Sequence, residues 1–311
     1  MAVSEGEVVE WLLGGDVAVA FQTARDLLGQ DRPELQARIA TEGHGAALLA
    51  ARGANGHWGR GFYQPKWTSS HYTLLELKNL GLPPGTEPAR ETVQLIVRRE
   101  KARDGGLNPT ATVAWSDACV NGMALGYSAY FGAEQEELTS IVDFLLDQRV
   151  PDGGFNCQWN KRRRATTHSS VHTTLSVMEG ITEYVRWGYR YRADELAEAA
   201  ASCVQFFLQH RLYRSHRTGE PMRPQFTRLH YPARWYFDIL RCLDALADAG
   251  VAYDERMRDA LDVLRARRRP DGPWVVSRAY PGVTHVPPPA GQPDRWVTLI
   301  ALRVLARYAV R

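Results

Sequence analysis

Glycine-rich turns recur along this chain at a fixed interval. Gly56-His57-Trp58, Asp104-Gly105-Gly106-Leu107 and Asp152-Gly153-Gly154-Phe155 begin 48 residues apart, and Asp271-Gly272-Pro273-Trp274 is a later copy. Each turn lies between two stretches with apolar residues at helical spacing. A period near 50 residues with two helices per period is the signature of a helical repeat array, because one such unit cannot bury its own apolar faces. The spacing predicts helices over Glu5 to Leu13, Asp16 to Leu28, Pro33 to Arg52, Lys66 to Leu80, Ala89 to Lys101 and Trp115 to Phe131. It continues with Glu134 to Gln148, Ser169 to Arg186, Asp194 to Arg211, Pro232 to Ala249, Glu255 to Arg268 and Asp294 to Tyr308.

The two helices of a pair differ in kind. The first carries charge on one face, as with Arg90, Glu91, Arg98 and Arg99, and suits an outer position against water. The second, with Trp115, Ser116, Ala118, Gly122, Ala124 and Gly126, is small, aromatic and hydroxylated nearly all round, and suits an inner one. About six pairs are expected, enough to close into an all-α ring, an α/α toroid, in one domain spanning residues 1–311. An open superhelix with a concave macromolecule-binding surface is the alternative.

With 44% hydrophobic and 23% charged residues the chain reads as a globular protein that builds a sizeable core. The net charge of +3 is spread through the sequence, which points away from a nucleic-acid partner. The one basic run, Lys161 to Arg164, reads as a solvated turn, or as a lid over the mouth of the ring. No uncharged run approaches the ~20 residues of a membrane span, and the acidic start lacks the features of a secretory leader, so a cytoplasmic location is expected. Cys119, Cys157, Cys203 and Cys242 are far apart in sequence and form neither a disulfide framework nor a zinc ribbon.

The segment Phe144 to Gln148 followed by Asp152 to Phe155 resembles the repeat of squalene and oxidosqualene cyclases, in which a helix-terminal Gln precedes a Gly-x-aromatic turn. Gly56 to Trp58 and Asp271 to Trp274 are similar. The wider superfamily includes the protein prenyltransferase β subunits. The resemblance covers most of the chain and implies an α/α toroid and an enzyme acting on a small or medium-sized, partly apolar substrate in a central cavity, by transfer, cyclisation or hydrolysis. The Asp-rich motifs of both terpene cyclase classes are absent.

Comparison with the prenyltransferases implies a zinc site. Their Asp-x-Cys at the head of an inner helix corresponds to Asp117 and Cys119, and His172 resembles the third ligand; residues 111 and 114 are Ala where that family carries Arg and Lys for the diphosphate. Asp117, Cys119 and His172 would leave zinc one open position for water or substrate. Residues i and i+2 of a regular helix point about 200° apart, so Asp117 and Cys119 can share a metal only in an irregular first turn, with Ser116 as N-cap. His168 and His172, four apart, would share a helical face and are a second way to a metal. Aligning Gly126 with Gly180 sets His172 level with Ala118, and His71 falls at the same height.

Other inner positions complete the expected cavity. Its lining is read as Trp67, His71, Tyr72, Trp115, Trp159, Trp235 and Trp296, with Arg234 and Arg295 as anion or carboxylate partners. Asp238 and Tyr231 are candidate acid/base groups, and Glu76 and Glu179 are further carboxylates interrupting apolar helices. In the competing readings the chain is a non-catalytic toroid that binds a protein or ligand, or a metal-free cyclase-like enzyme with Asp238 or Glu179 as its acid.

Overall fold

The computed structural model describes residues 4–110, 114–157, 166–277, 282–285 and 292–309. Among them the protein is all-helical, with only isolated β-bridges at the turns, as an α/α toroid of paired helices requires. The outer helices are α1 (Glu5–Leu13), α4 (Gly43–Ala50), α6 (Glu87–Arg99), α8 (Gln135–Asp147), α10 (Ala193–Gln209) and α12 (Arg258–Ala266). Each precedes an inner one in the repeat, apart from the short α3 (Pro33–Arg38), which leads into α4. The inner helices are α2 (Val17–Leu28), α5 (Ser70–Leu80), α7 (Ala118–Tyr130), α9 (Val171–Arg186), α11 (Ile239–Asp248) and α13 (Arg295–Arg307). No helix of the described residues is long and apolar enough to cross a membrane.

Burial follows the two kinds of helix. On α6 the buried positions are Ala89, Thr92, Val93, Ile96 and Val97, one stripe at spacings of three and four. On α7 every residue from Ala118 to Ala129 is buried except Cys119.

Several expected helices begin late or break, three of them with a clear local cause. Pro33 to Arg52 splits because Gly43 takes a left-handed φ of +60° while Asp16 accepts the N–H of His44, which starts α4 afresh. The segment from Lys66 opens with a short 3-10 turn, Lys66–Thr68, before α5. The stretch from Pro232 becomes helical only at Ile239, because Arg234 sits at φ +57° and Asp238 acts as N-cap.

Contacts divide the chain into two compact units. The first comprises Met1–Ala51, Asn79–Pro83 and Leu208–Arg311. There α2 packs against α1, α3 and α13, so the earliest and latest helices of the chain meet. Arg303 of α13 fixes this junction, with its Nε 2.7 Å from Asp244 of α11 and its Nη1 3.1 Å from both Gln22 and Asp26 of α2. Burial disfavours its charge, but Asp244 and Asp26 more than offset that and hold Arg303 above its usual pKa.

The second unit comprises Arg52–Lys78 and Pro84–Phe207. Its centre is the pairing of α7 with α9, which run in the same direction with their backbones almost touching. A Cβ on Gly122 would lie 2.6 Å from the Val177 Cα, and one on Gly180 would run into the Gly122 carbonyl. Only glycine permits that approach.

Candidate active site

The Gly-rich turns position the heads of the inner helices. In Asp104 to Leu107, Gly105 has φ +86°, and the Asp104 carboxylate accepts the Ser116 N–H at 2.7 Å and hydroxyl at 2.8 Å. One repeat on, Gly153 has φ +98°, and Asp152 accepts both the N–H (2.8 Å) and the hydroxyl of Ser169. The residue after each glycine pair is pinned to the fourth residue of the next helix: Leu107 N–H donates to Asn121 at 2.6 Å and Phe155 N–H to Thr174 at 3.0 Å. Trp274 N–H donates to Thr298 in the same way at 3.0 Å.

That framework makes Ser170 and Asp117 the cap residues of α9 and α7. Ser116, expected as the cap, is instead held by Asp104. The equivalence of Asn121 with Thr174 also moves the register by one residue from the Gly126–Gly180 alignment, so His172 is level with Cys119. His168 precedes the cap and therefore shares no helical face with His172.

Asp117 differs from the caps of four other inner helices. Asp16, Ser170, Asp238 and Asp294 each accept a backbone N–H from their own helix, at 2.9, 3.4, 2.9 and 2.7 Å. Asp117 has the extended backbone of a cap, but its side chain makes no capping bond. Its carboxyl accepts instead from the Cys157 thiol. Cys157, two residues beyond Phe155, is carried by its turn to the heads of both helices. Its Sγ lies 3.6 Å from the Cys119 Sγ and 3.7 Å from the Thr173 Oγ1.

Burial raises the Asp117 pKa above the usual carboxylate value, against the opposing pull of Cys157 and the Lys66 charge. The Cys119 thiol, donating to a Cys157 thiolate, lowers Cys157 against burial and the Asp117 charge. Cys119 is correspondingly raised well above an ordinary thiol. Of the two thiols Cys157 is the more acidic, with Cys119 and Thr173 as donors to it.

Tyr63 lies close enough to Asp117, Cys119 and Cys157 for their charges to raise its pKa, although burial is the larger cause. Its hydroxyl is 3.2 Å from that of Tyr72, and Trp67 packs edge-on against Tyr72 at 4.8 Å between centroids. The Lys66 ammonium sits 4.8 Å from the centre of the Trp67 ring. Behind them His71 is fully buried among Phe62, Tyr63, Tyr72 and Tyr127. Its Nδ1 is 3.3 Å from the Tyr127 hydroxyl and its Nε2 has no partner. Burial and the Lys66 charge lower its pKa to about 3, so His71 is neutral.

Of the residues expected at the site, Trp67, His71, Tyr72, Asp117 and Cys119 thus fall in one neighbourhood of the second unit. Trp115 is 58% exposed. His168 is exposed, its carbonyl accepting from Asn156, and His172 is partly exposed in the first turn of α9. Glu76 and Glu179 are also partly exposed. Trp159 and the Lys161–Arg164 run lie outside the described residues. No group of three or more His, Cys, Asp or Glu among the described residues is arranged to hold a metal ion.

The remaining expected residues belong to the first unit. Tyr231 stacks on Trp296 at 4.9 Å and 10°, and Trp235 stacks on Tyr236 at 4.1 Å. Asp238 accepts three N–H groups, from the Arg241 backbone (2.9 Å), the His230 backbone (3.1 Å) and His230 Nδ1 (3.2 Å), an arrangement that holds α11 in place. Arg295 donates to the Trp11 carbonyl at 3.0 Å and lies over the Trp11 ring, which makes it a strut between α13 and α1. Arg234 is buried in a left-handed conformation.

Sequence reasoning passed over Cys157, Thr173, Tyr63 and Lys66. For Cys157 a signal existed. Counted from the turn aspartates, it stands where the preceding repeat has Pro109, so the scaffold does not require a thiol there.

No family model matches the chain, and no curated protein does. Among solved structures it is similar to the type II terpene cyclase MstE from Scytonema in its apo form, with 18% identity, 78% of this chain and 81% of that chain covered, and a TM-score of 0.37. It is equally similar to an arginine-to-alanine variant of that enzyme in complex with geranylgeranyl dihydroxybenzoate, at 18% identity, 78% and 80% coverage, and TM-score 0.37.

Proposed function

We propose that the chain is an acid–base enzyme acting on a small or medium-sized, partly apolar molecule, with Asp117 as the proton donor in an isomerisation or cyclisation. The observation that carries this reading is the release of Asp117 from capping. A carboxyl at the head of a buried helix is ordinarily consumed by backbone N–H groups. This one is half-buried, biased towards its protonated form, and bonded to a second proton carrier, Cys157.

In this reading the Asp117 proton passes to an electron-rich carbon of the substrate, leaving a carboxylate that the Cys157 thiol stabilises by donating to it. The cation formed on the substrate faces the rings of Tyr63 and Tyr72, whose faces stabilise positive charge; Trp67 is engaged by the Lys66 ammonium. Neutral His71 behind those tyrosines adds no opposing charge. The return of a proton from the substrate to the Asp117 carboxylate closes the cycle. The cyclase-type turns of the sequence agree with chemistry begun by proton transfer to an apolar molecule.

The test is a panel of linear isoprenoid alcohols and squalene incubated with the full chain in D2O, with products read by mass spectrometry. Deuterium incorporation is expected, falling about 10²- to 10⁴-fold in Asp117→Asn, the range ordinarily lost with a general acid. A folded Asp117→Asn protein that incorporates deuterium at the wild-type rate would remove Asp117 from this role. Metal analysis tests the zinc alternative: stoichiometric zinc, lost in both Cys119→Ser and His172→Ala, would replace the proton-donor mechanism with a metal-dependent one.

A further inference from the structure

The two sulfurs beside Asp117 have a chemistry of their own. Cys119 is the one residue between Ala118 and Ala129 of α7 that is not fully buried, and Cys157 is also partly exposed. Their Sγ atoms are 3.6 Å apart. A disulfide needs about 2.05 Å, so closure asks for a combined approach of roughly 1.6 Å, within the reach of side-chain rotation and a small backbone shift. Cys157 sits in irregular chain just after the Arg149–Phe155 bridge, where no helical hydrogen bond resists that shift. Cys203 and Cys242, by contrast, are fully buried.

The geometry points to Cys119 and Cys157 as a reversible dithiol–disulfide site whose co-reactants are low-molecular-weight disulfides. One protein thiolate attacks the small disulfide, forming a mixed disulfide and expelling one small thiolate. The second protein thiolate then attacks the protein sulfur of that mixed disulfide and expels the other. Two protein thiols and one small disulfide thus become one protein disulfide and two small thiols, with the two protons going to the departing thiolates. Reduction by a dithiol reverses the sequence.

Closure also removes the S–H that Cys157 donates to Asp117. This consequence rests on the proton-donor reading above, whereas the disulfide itself does not. The oxidised enzyme would lose the donor that stabilises the Asp117 carboxylate after proton transfer, and its turnover is expected to fall at least tenfold.

The experiment treats the native, folded chain with glutathione disulfide and follows intact mass, peptide mapping and melting temperature. Expected are a mass lower by two hydrogens, one cross-linked peptide pair containing Cys119 and Cys157, a raised Tm, and full reversal by dithiothreitol. Cys119→Ser and Cys157→Ser should each stop at a glutathione adduct or not react. A wild-type chain that keeps four titratable thiols, or accumulates glutathione adducts without the internal cross-link, would overturn the proposal. Deuterium incorporation is measured on the same samples. Cross-linking without loss of activity overturns the control of Asp117 and leaves the disulfide standing. An active Asp117→Asn variant removes the proton-donor reading, and the mass data still decide the disulfide.

Discussion

The heads of α7 and α11 begin alike, with an aspartate in extended backbone at the cap position, and end in opposite uses. Asp238 is saturated by three N–H donors from Arg241 and His230. Asp117 has no capping bond and faces a thiol. Residue type and helix position are therefore a poor guide to the role of a buried carboxyl; the occupancy of its oxygens is a better one. A shifted pKa does not separate the cases alone, because burial raises Asp294 as well although Val297 and Trp296 both donate to it. What distinguishes Asp117 is that no backbone N–H of its own helix occupies its side chain.

The largest expected effect calibrates a third carboxyl, Glu183 of α9. Burial raises its pKa, but the combined pull of Lys78, 3.0 Å away, Arg186 and the Trp187 indole brings it below the ordinary value. Removing the cation with Lys78→Met is expected to cost about 3 kcal/mol at pH 7 by chemical denaturation, since a nearly buried charge loses its main partner. A folded-state pKa below the unfolded one means that stability is present above about pH 4.5 and is lost as the pH falls through the folded value. The cost of Lys78→Met should therefore shrink in acid. A cost independent of pH would show that Lys78 acts through packing alone.

Next in size, Asp238→Ala is expected to destabilise by about 2 kcal/mol, the sum of a lost cap and the lost carboxylate acceptor of the His230 N–H groups. Asp117→Asn should change stability by under ~0.5 kcal/mol at pH 4, where little cap energy is at stake. The pH dependence is opposite to that of Glu183: because its folded pKa is raised, wild type should lose stability relative to Asp117→Asn as the pH rises through 3.8 and above. Equal losses in the two aspartate variants would erase the distinction between the helix heads.

The smallest effect belongs to Thr173→Val, which removes a hydroxyl donor to Cys157. Its alkylation–pH profile should move upward while stability stays within ~0.5 kcal/mol. A profile that does not move would show that Cys119 alone sets the acidity of Cys157.

The repeat was legible in the sequence because its turns obey rules that local chemistry enforces: a left-handed glycine, an aspartate reaching a serine, and a hydroxyl or amide four residues beyond the cap. Those rules place nearly every helix to within a few residues. The site was legible in part. Asp117, Cys119, His71, Tyr72 and Trp67 lie on or beside helix heads, where position in the repeat determines position in space. Cys157 and Tyr63 come from irregular chain, whose path no periodicity predicts. Gly180 nests against both Gly122 and Gly126, so aligning Gly126 with Gly180 does not by itself fix the height of His172.

The junction held by Arg303 imposes an order of events on synthesis. Gln22 and Asp26 leave the ribosome 281 and 277 residues before the arginine that they bind. At roughly 5–20 residues per second, that is a wait of about 15 to 55 s. For that time α2, buried from Val17 to Ala24 in the finished fold, has no α13 to cover it, while the long continuous stretch Pro84–Phe207 is already complete. The apolar face of α2 is thus left without its α13 cover for most of translation.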